Sequence, residues 1–213
     1  MTDRLKELFS LIPNCDTFAD VGCDHGYISQ AVIKSGKAKK VYFSDISSKC
    51  LKKAEDLLSL SVNEGVAVPC VSNGFEKLPK VDSALVAGMG GEEIVGIINS
   101  AKNLPNTLIL QPMKNSEKVR VCLIKNGYKI LKDYTFFAGE KFYDVMLCEK
   151  GEDFLTEDEI LFGRTNLLLK PSAFLRKWQE KHREIEGYLS NDNIGEKSRI
   201  ELSLELEKIS KIC

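Results

Sequence analysis

Ala19-Asp20-Val21-Gly22-Cys23-Asp24-His25-Gly26-Tyr27 is the stretch on which the fold turns. An apolar run ends at Gly22 and a helical pattern starts near Gly26, so the chain must turn tightly in between. Glycine permits the unusual dihedrals of such a turn and lets backbone N–H groups approach a ligand closely. The spacing D-x-G-x-D-x-G differs from the G-x-G-x-x-G of dinucleotide-binding turns, because no glycine follows Gly22 at the required interval.

Working outward, short and nearly continuous apolar runs at residues 17–22, 40–45, 66–72, 83–88 and 107–111 have the pattern of strands buried on both faces of a parallel sheet. Helical patterns at 27–34, 48–64, 92–102 and 116–126 alternate with them. Ser47 and Ser116 stand where N-caps belong, and Gly36, Gly65 and Gly127 where helices stop. The alternation predicts right-handed βαβ units in an open, doubly wound, Rossmann-like α/β sheet. Two more strands, 129–137 and 141–150, follow each other through a turn at Gly139 with no helix between them. They predict an antiparallel hairpin at one edge and a total of seven strands.

Beyond Gly151 the strand signals stop. Residues 156–169 and 172–189 read as helices, Asn191-Asp192-Asn193 as a break, and 194–212 as a last helix with Leu202, Leu206, Ile209 and Cys213 on one stripe. The expected organisation is an α/β domain over residues 1–150 and a small α-helical, coiled-coil-like appendage over 151–213. The expected assembly is a monomer or a weak homodimer through the C-terminal helices.

The chain has 30 Lys plus Arg against 31 Asp plus Glu, a net charge of −1, which offers no global attraction for nucleic acid. The balance is uneven: residues 1–150 carry 20 basic and 18 acidic side chains, and the rest 10 and 13. No apolar run approaches the ~20 residues of a membrane span, and the charged start lacks a secretory layout, so a cytoplasmic protein without a membrane partner is expected. Seven scattered cysteines, none in a C-x-x-C pair, read as reduced thiols; with only His25 and His182 besides, no metal site is expected.

Asp24 bears on the ligand of the turn. A carboxylate there repels a pyrophosphate but suits a ligand carrying an ammonium and a sulfonium centre, as S-adenosylmethionine does. The loop agrees with the E/D-x-G-x-G-x-G of methyltransferases that use that cofactor at three of four positions, Asp24 replacing the middle glycine. Asp45, followed by Ile46 at the end of the second strand, is placed either to bind both ribose hydroxyls or to cap the next helix. After the third strand, Asn73 suits an adenine edge and Gly74 the approach of its ring, the alternative being a plain turn. Gly88-Met89-Gly90-Gly91 ends the fourth strand with bare backbone where a reactive face belongs, and N/D-P-P-Y/F, frequent in amino-methylating enzymes, is absent there.

In these residues the chain resembles the bacterial tRNA (adenine(22)-N1)-methyltransferase family. The matches are Arg4-Leu5, Ala19-Asp20-Val21-Gly22 with Asp24-His25-Gly26-Tyr27, Ala87-Gly88-Met89-Gly90-Gly91, Leu108-Ile109-Leu110-Gln111-Pro112, Gly139-Glu140 with Tyr143, and Leu161-Phe162-Gly163. Phe75 and Met113 depart from the family pattern. The resemblance implies transfer of a methyl group from S-adenosylmethionine, leaving S-adenosylhomocysteine, to N1 of a D-arm adenine in tRNA. It implies a cofactor site of Asp20, Gly22, Cys23, Asp24, Gly26, Tyr27, Asp45, Ile46, Asn73, Gly74, Gly88, Met89 and Gly90.

For tRNA, the expected contacts are Arg4, Tyr27, Gln111, Lys114, Lys118, Arg120 and Tyr143, the tyrosines offering stacking faces and the cations phosphate contacts. A second cationic cluster, Lys37, Lys39 and Lys40, reads as a solvated loop. Asp24 is the catalytic candidate, as an electrostatic partner for the cation formed on adenine. Two other functions fit the same pattern: a small-molecule methyltransferase, favoured by the neutral charge, and a tRNA-binding module without turnover, favoured by the helical hairpin.

Overall fold

The computed structural model describes residues 1–191 and 194–212. Seven strands, β1 (Cys15–Val21), β2 (Ala38–Asp45), β3 (Ala67–Val71), β4 (Ser83–Met89), β5 (Thr107–Pro112), β6 (Tyr128–Ala138) and β7 (Lys141–Lys150), form one sheet in the order β3-β2-β1-β4-β5-β7-β6. The first five pair in parallel, while β7 runs antiparallel to both β5 and β6. Side chains alternate across β1. Phe18 joins Val41, Leu85 and Ile109 under α1 (Asp3–Leu11) and α2 (Tyr27–Ser35), and Ala19 and Val21 face α5 (Gly91–Ser100) and α6 (Ser116–Lys125) with Ile94, Ile98, Val119 and Leu123. No helix among the described residues is long and apolar enough to cross a membrane.

Three helical expectations need correction. The helix read over 48–64 is two, α3 (Ser48–Leu57) and α4 (Ser59–Asn63), because Leu58 leaves helical geometry at φ −103° to bury its side chain beside Phe43 and Leu51. Ser47 caps α3 through the Cys50 amide, but Ser116 caps nothing: Asn115 holds the cap position at φ +57°, and the Ser116 hydroxyl donates to Asp144 Oδ2 at 2.7 Å. The N-terminal α1 was not anticipated. Its signal is Thr2 as a cap followed by Leu5, Leu8 and Leu11 on one stripe.

Residues 156–169 also divide, into α7 (Glu157–Phe162) and α8 (Arg164–Leu169). The break at Gly163 lets its backbone lie against a buried ion pair: a Cβ there would stand 2.6 Å from Asp133 Oδ1 and 2.9 Å from Arg120 Nη2. Then come α9 (Ser172–Leu189) and α10 (Glu196–Ser210), which bury Phe162, Phe174, Ile185 and Ile209 in a small core of their own. Asp192, Asn193 and Cys213, part of the expected break and stripe, lie outside the described residues.

Polar groups fasten these helices to the sheet. Arg120, 1% exposed, gives its Nε to Asp133 Oδ2 at 2.7 Å and its Nη1 to the carbonyls of Ile160 and Leu161. Asp133 also accepts from the Thr165 amide, and Asn166 bonds Thr135 in both directions. Lys177 reaches Asp144 at 2.7 Å. Burial pushes the Asp144 carboxyl up, but the Lys177 and Arg120 charges, with hydrogen bonds from Lys177 and Thr135, outweigh it and hold the group down to about 2. Its contribution to stability is present above the unfolded-chain value of 3.8 and is lost as pH falls toward 2.

Arg120 was expected at the RNA surface and is instead wholly enclosed in this network. Removing one partner of a buried pair strands the other, at a cost of roughly 3–5 kcal/mol. Arg120→Met is therefore expected to lower the stability of the whole chain by about that amount, read from denaturant midpoints. Adding Asp133→Asn, which removes the stranded charge and keeps an acceptor for Thr165, should recover much of the loss.

Candidate active site

The sheet order reverses between β1 and β4, and a crevice opens there at the carboxyl ends of the strands, where open α/β sheets bind their ligands. It encloses about 620 Å³. Its floor is the turn between β1 and α2. Gly22, Asp24 and Gly26 all take positive φ, +73°, +48° and +74°. The amides of Gly22 and Cys23 donate to the one carbonyl of Ser44, at 2.8 and 2.9 Å, which pins the turn to β2. Positive φ favours glycine at both 22 and 26; a Cβ at 26 would also stand 2.9 Å from Ala54 Cβ, and one at 22 would stand 2.1 Å from the movable Met89 Cε.

Asp20 closes the turn from beneath. Its Oδ2 accepts from both the amide and the hydroxyl of Ser29 on α2, at 3.2 and 2.7 Å. Burial pushes its carboxyl up to about 6, helped by the charge of Asp45 and opposed by the Ser29 bonds. Burial, with the charges of Asp20 and Asp45, likewise pushes the Cys23 thiol up, so it stays protonated. Asp24 pairs with His25 Nδ1 at 2.8 Å, and the His25 ring lies parallel to that of Tyr27, which is 50% exposed at the mouth.

Asp45 does part of each job expected of it. Its Oδ1 accepts from the Ser47 amide at 2.8 Å, the local turn, while Oδ2 receives only a long 3.4 Å bond from the Asp24 amide and faces the crevice. Beside it Ile46 is 73% exposed, an apolar surface lining a cleft. Asn73 also lines the crevice and donates to Glu76 at 2.9 Å. Gly74 lines the crevice too, and its φ of +56° and its closeness to Ile97, 2.7 Å from a would-be Cβ, account for the glycine. Phe75, the family departure, packs in the core under α5.

Arg4 stands on the far wall, with Gln111 and Tyr143 behind it. Gln111, fully buried, accepts from Arg4 Nε at 2.7 Å and gives its amide nitrogen to the Pro112 carbonyl. Both ends of that amide are committed, so Gln111 holds Arg4 and does not reach a substrate, contrary to expectation. The Arg4 guanidinium lies 5.5 Å above the Tyr143 ring and 2.8 Å from where a Gly88 Cβ would be. Lys114 packs along Gly90, while Lys118 is paired with Glu92 at the start of α5. The 37–40 lysines sit at the opposite end of the sheet, Lys37 on the Phe9 and Ile12 carbonyls and Lys39 on Asp16. Glu93 on α5 and Leu5 and Leu8 on α1 line the crevice unforeseen.

Residues 1–146 match the family described as methyltransferase domain. The chain belongs to that family. It is 28% identical over 193 residues to the tRNA (adenine(22)-N(1))-methyltransferase of Bacillus subtilis, covering 85% of this chain and 81% of that one. Among solved structures it is similar to M. capricolum TrmK in complex with S-adenosyl-homocysteine, with TM-score 0.91, 23% identity and coverage of 99% and 96%. The B. subtilis m1A22 tRNA methyltransferase TrmK gives 0.87, 23%, 100% and 98%. At that identity the structures speak for the fold over the whole length, helical appendage included.

The raised carboxyl of Asp20 makes stability depend on pH with a definite sign. Between the unfolded-chain value of 3.8 and about 6 the folded chain holds a proton that the unfolded chain has lost, so stability falls as pH rises through that window. Asp20→Asn keeps an acceptor for Ser29 and removes the buried charge. The variant is expected to gain on the wild type by about 3 kcal/mol between roughly pH 3.5 and 7, measured as the difference of their unfolding free energies. A constant difference across that range would place the ionisation elsewhere.

Proposed function

We propose that this chain transfers a methyl group from S-adenosylmethionine to N1 of adenine 22 in the D-arm of tRNA, with residues 1–150 holding the donor and the helices beyond 151 helping to hold the RNA. The observation that carries the reading is the composition of the crevice: the carboxylates of Asp20, Asp24 and Asp45, two glycine close approaches, and exposed Ile46, in one cleft at the switch point of a methyltransferase-family sheet. The B. subtilis relative named for this tRNA reaction supports it along most of the chain.

The crevice fits the donor on chemical grounds. Three acidic side chains favour a ligand with two positive centres and disfavour a pyrophosphate. Asp45 Oδ2 is free to accept from ribose hydroxyls, and Ile46 offers an apolar face for a purine. The volume is in the ordinary range for a cofactor cleft. S-adenosylmethionine, when bound, supplies an electrophilic methyl group.

What remains for the protein is orientation. N1 of neutral adenine has an in-plane lone pair and no proton, so no base is needed before transfer. Gly88 and Gly90 end β4 without side chains, Arg4 Nη2 and Lys114 Cε lie against them, and an acceptor base enters beside these two cations; positioning to near ~3–3.5 Å contributes several kcal/mol. Tyr27, half-exposed at the mouth, offers a stacking face for a base drawn out of its helix, whereas the Tyr143 ring is already engaged by Arg4 and Phe136. Arg4, fixed by Gln111, has its Nη groups toward the same opening and suits a phosphate of the extracted nucleotide. Asp24, whose carboxylate lies 2.8 Å from His25 Nδ1, adds negative charge that favours the cationic methylated base.

Labelled S-adenosylmethionine should deliver its methyl group to tRNA transcripts with adenine at position 22 and not to transcripts with guanine there, with a reverse-transcription stop at that position. Transfer to small metabolites but not to tRNA would sink the proposal. Asp45→Ala is expected to weaken donor binding at least tenfold by loss of the paired ribose contacts, about 1.4 kcal/mol or more, read by calorimetry. With few unpaired cations at the crevice, the salt slope of tRNA binding is expected to be shallow; a slope equivalent to ten phosphate contacts would contradict this.

A further inference from the structure

The β6–β7 hairpin carries an arginine on an aromatic ring on each of its faces. On the cleft face that pair is Arg4 over Tyr143, already described. On the other face, Phe137 and Phe142 are cross-strand partners with ring centroids 5.0 Å apart, and Arg176 from α9 lies 4.6 Å above the first and 5.5 Å above the second. Phe137 is 43% exposed and Arg176 is also exposed. Among the described residues, no carboxylate lies within ion-pair distance of Arg176, and no hydrogen bond engages its side chain. Its neighbour Lys177, by contrast, is committed to Asp144.

The position of this patch gives it meaning. Leu110 pairs with Met146, so residues 141–143 of β7 run on past the end of β5, at the same edge as the crevice. Exposed Lys114 and Lys141 stand at that edge. A guanidinium with all its donors unspent, two aromatic rings and nearby cations suit a polyanion with flat bases better than they suit an apolar protein surface. Proteins take unpaired nucleotides by stacking bases on aromatic and guanidinium planes while cations hold the phosphates.

We propose that Phe137, Phe142 and Arg176 form a second RNA contact, on which an unpaired base of the tRNA close to the target adenine stacks while Arg176 donates to the adjoining phosphate. The inference rests on the tRNA reading of the crevice. It assigns the helical appendage a defined part: α9 brings the cation, and the hairpin brings the rings.

The test compares the wild type with Phe137→Leu, Phe137→Trp and Arg176→Gln in steady-state methylation and in equilibrium binding of unmodified tRNA. Phe137→Leu is expected to raise KM and Kd for tRNA about tenfold, the loss of one stacked base, while Phe137→Trp keeps the wild-type values. Arg176→Gln should raise both and lower the salt slope of binding by about one. The loss falls on tRNA: the affinity for S-adenosylmethionine and the unfolding midpoint stay put. A wild type that methylates tRNA, with Phe137→Leu and Arg176→Gln keeping its KM, overturns the platform alone, as does a tryptophan variant no better than the leucine one. Platform-dependent tRNA binding without methyl transfer upholds the platform and overturns the crevice reading; no tRNA binding by the wild type overturns both.

Discussion

One carbonyl, that of Ser44, accepts hydrogen bonds from the amides of both Gly22 and Cys23, and the crevice depends on it. It forces the chain leaving β1 to bend across the end of β2 and so brings Asp24 against Asp45. The bend needs positive φ at three nearby residues, and the one that is not glycine, Asp24, is in a conformation that a side chain tolerates only where its surroundings hold it. They do: its amide meets Asp45 and its carboxylate His25. Asp20 then ties the start of α2 to the same turn through Ser29. The acidic character of the cleft is thus built into its backbone supports, since two of its three carboxylates also act as hydrogen-bond acceptors for the turn.

Most of the α/β framework was legible because it is written locally. Apolar runs of strand length separated by capped helical patterns leave little choice of sheet, and the missing helix around Gly139 marks the hairpin. The crevice turn was legible for the same reason, since its glycines answer steric demands within a few residues or one strand away. What stayed hidden depends on partners distant in sequence. Nothing around Arg120 announces Asp133 and the carbonyls of Ile160 and Leu161, so a buried arginine looked like a surface cation. Gln111 looked like a free amide because Arg4, which holds it, is 107 positions away. The nine residues of α1, half of them polar, are too short to stand out before the sheet that buries Leu8 and Leu11 is in place.

The neutral total charge hid a division of labour among the cations. Arg120 is consumed inside the protein, Lys177 by Asp144, Lys118 by Glu92, and Lys37 and Lys39 at the far end of the sheet. Beside Lys114 and Lys141 at the crevice edge, the two arginines there, Arg4 and Arg176, share a geometry: each guanidinium lies over an aromatic ring of the β6–β7 hairpin, one on either face. Stacking holds a guanidinium in place while leaving its N–H donors free, which pairing with a carboxylate does not. A polyanion approaching this edge therefore meets few charges, but charges whose positions the hairpin has already set. Selection by shape, with little long-range attraction, follows from that arrangement.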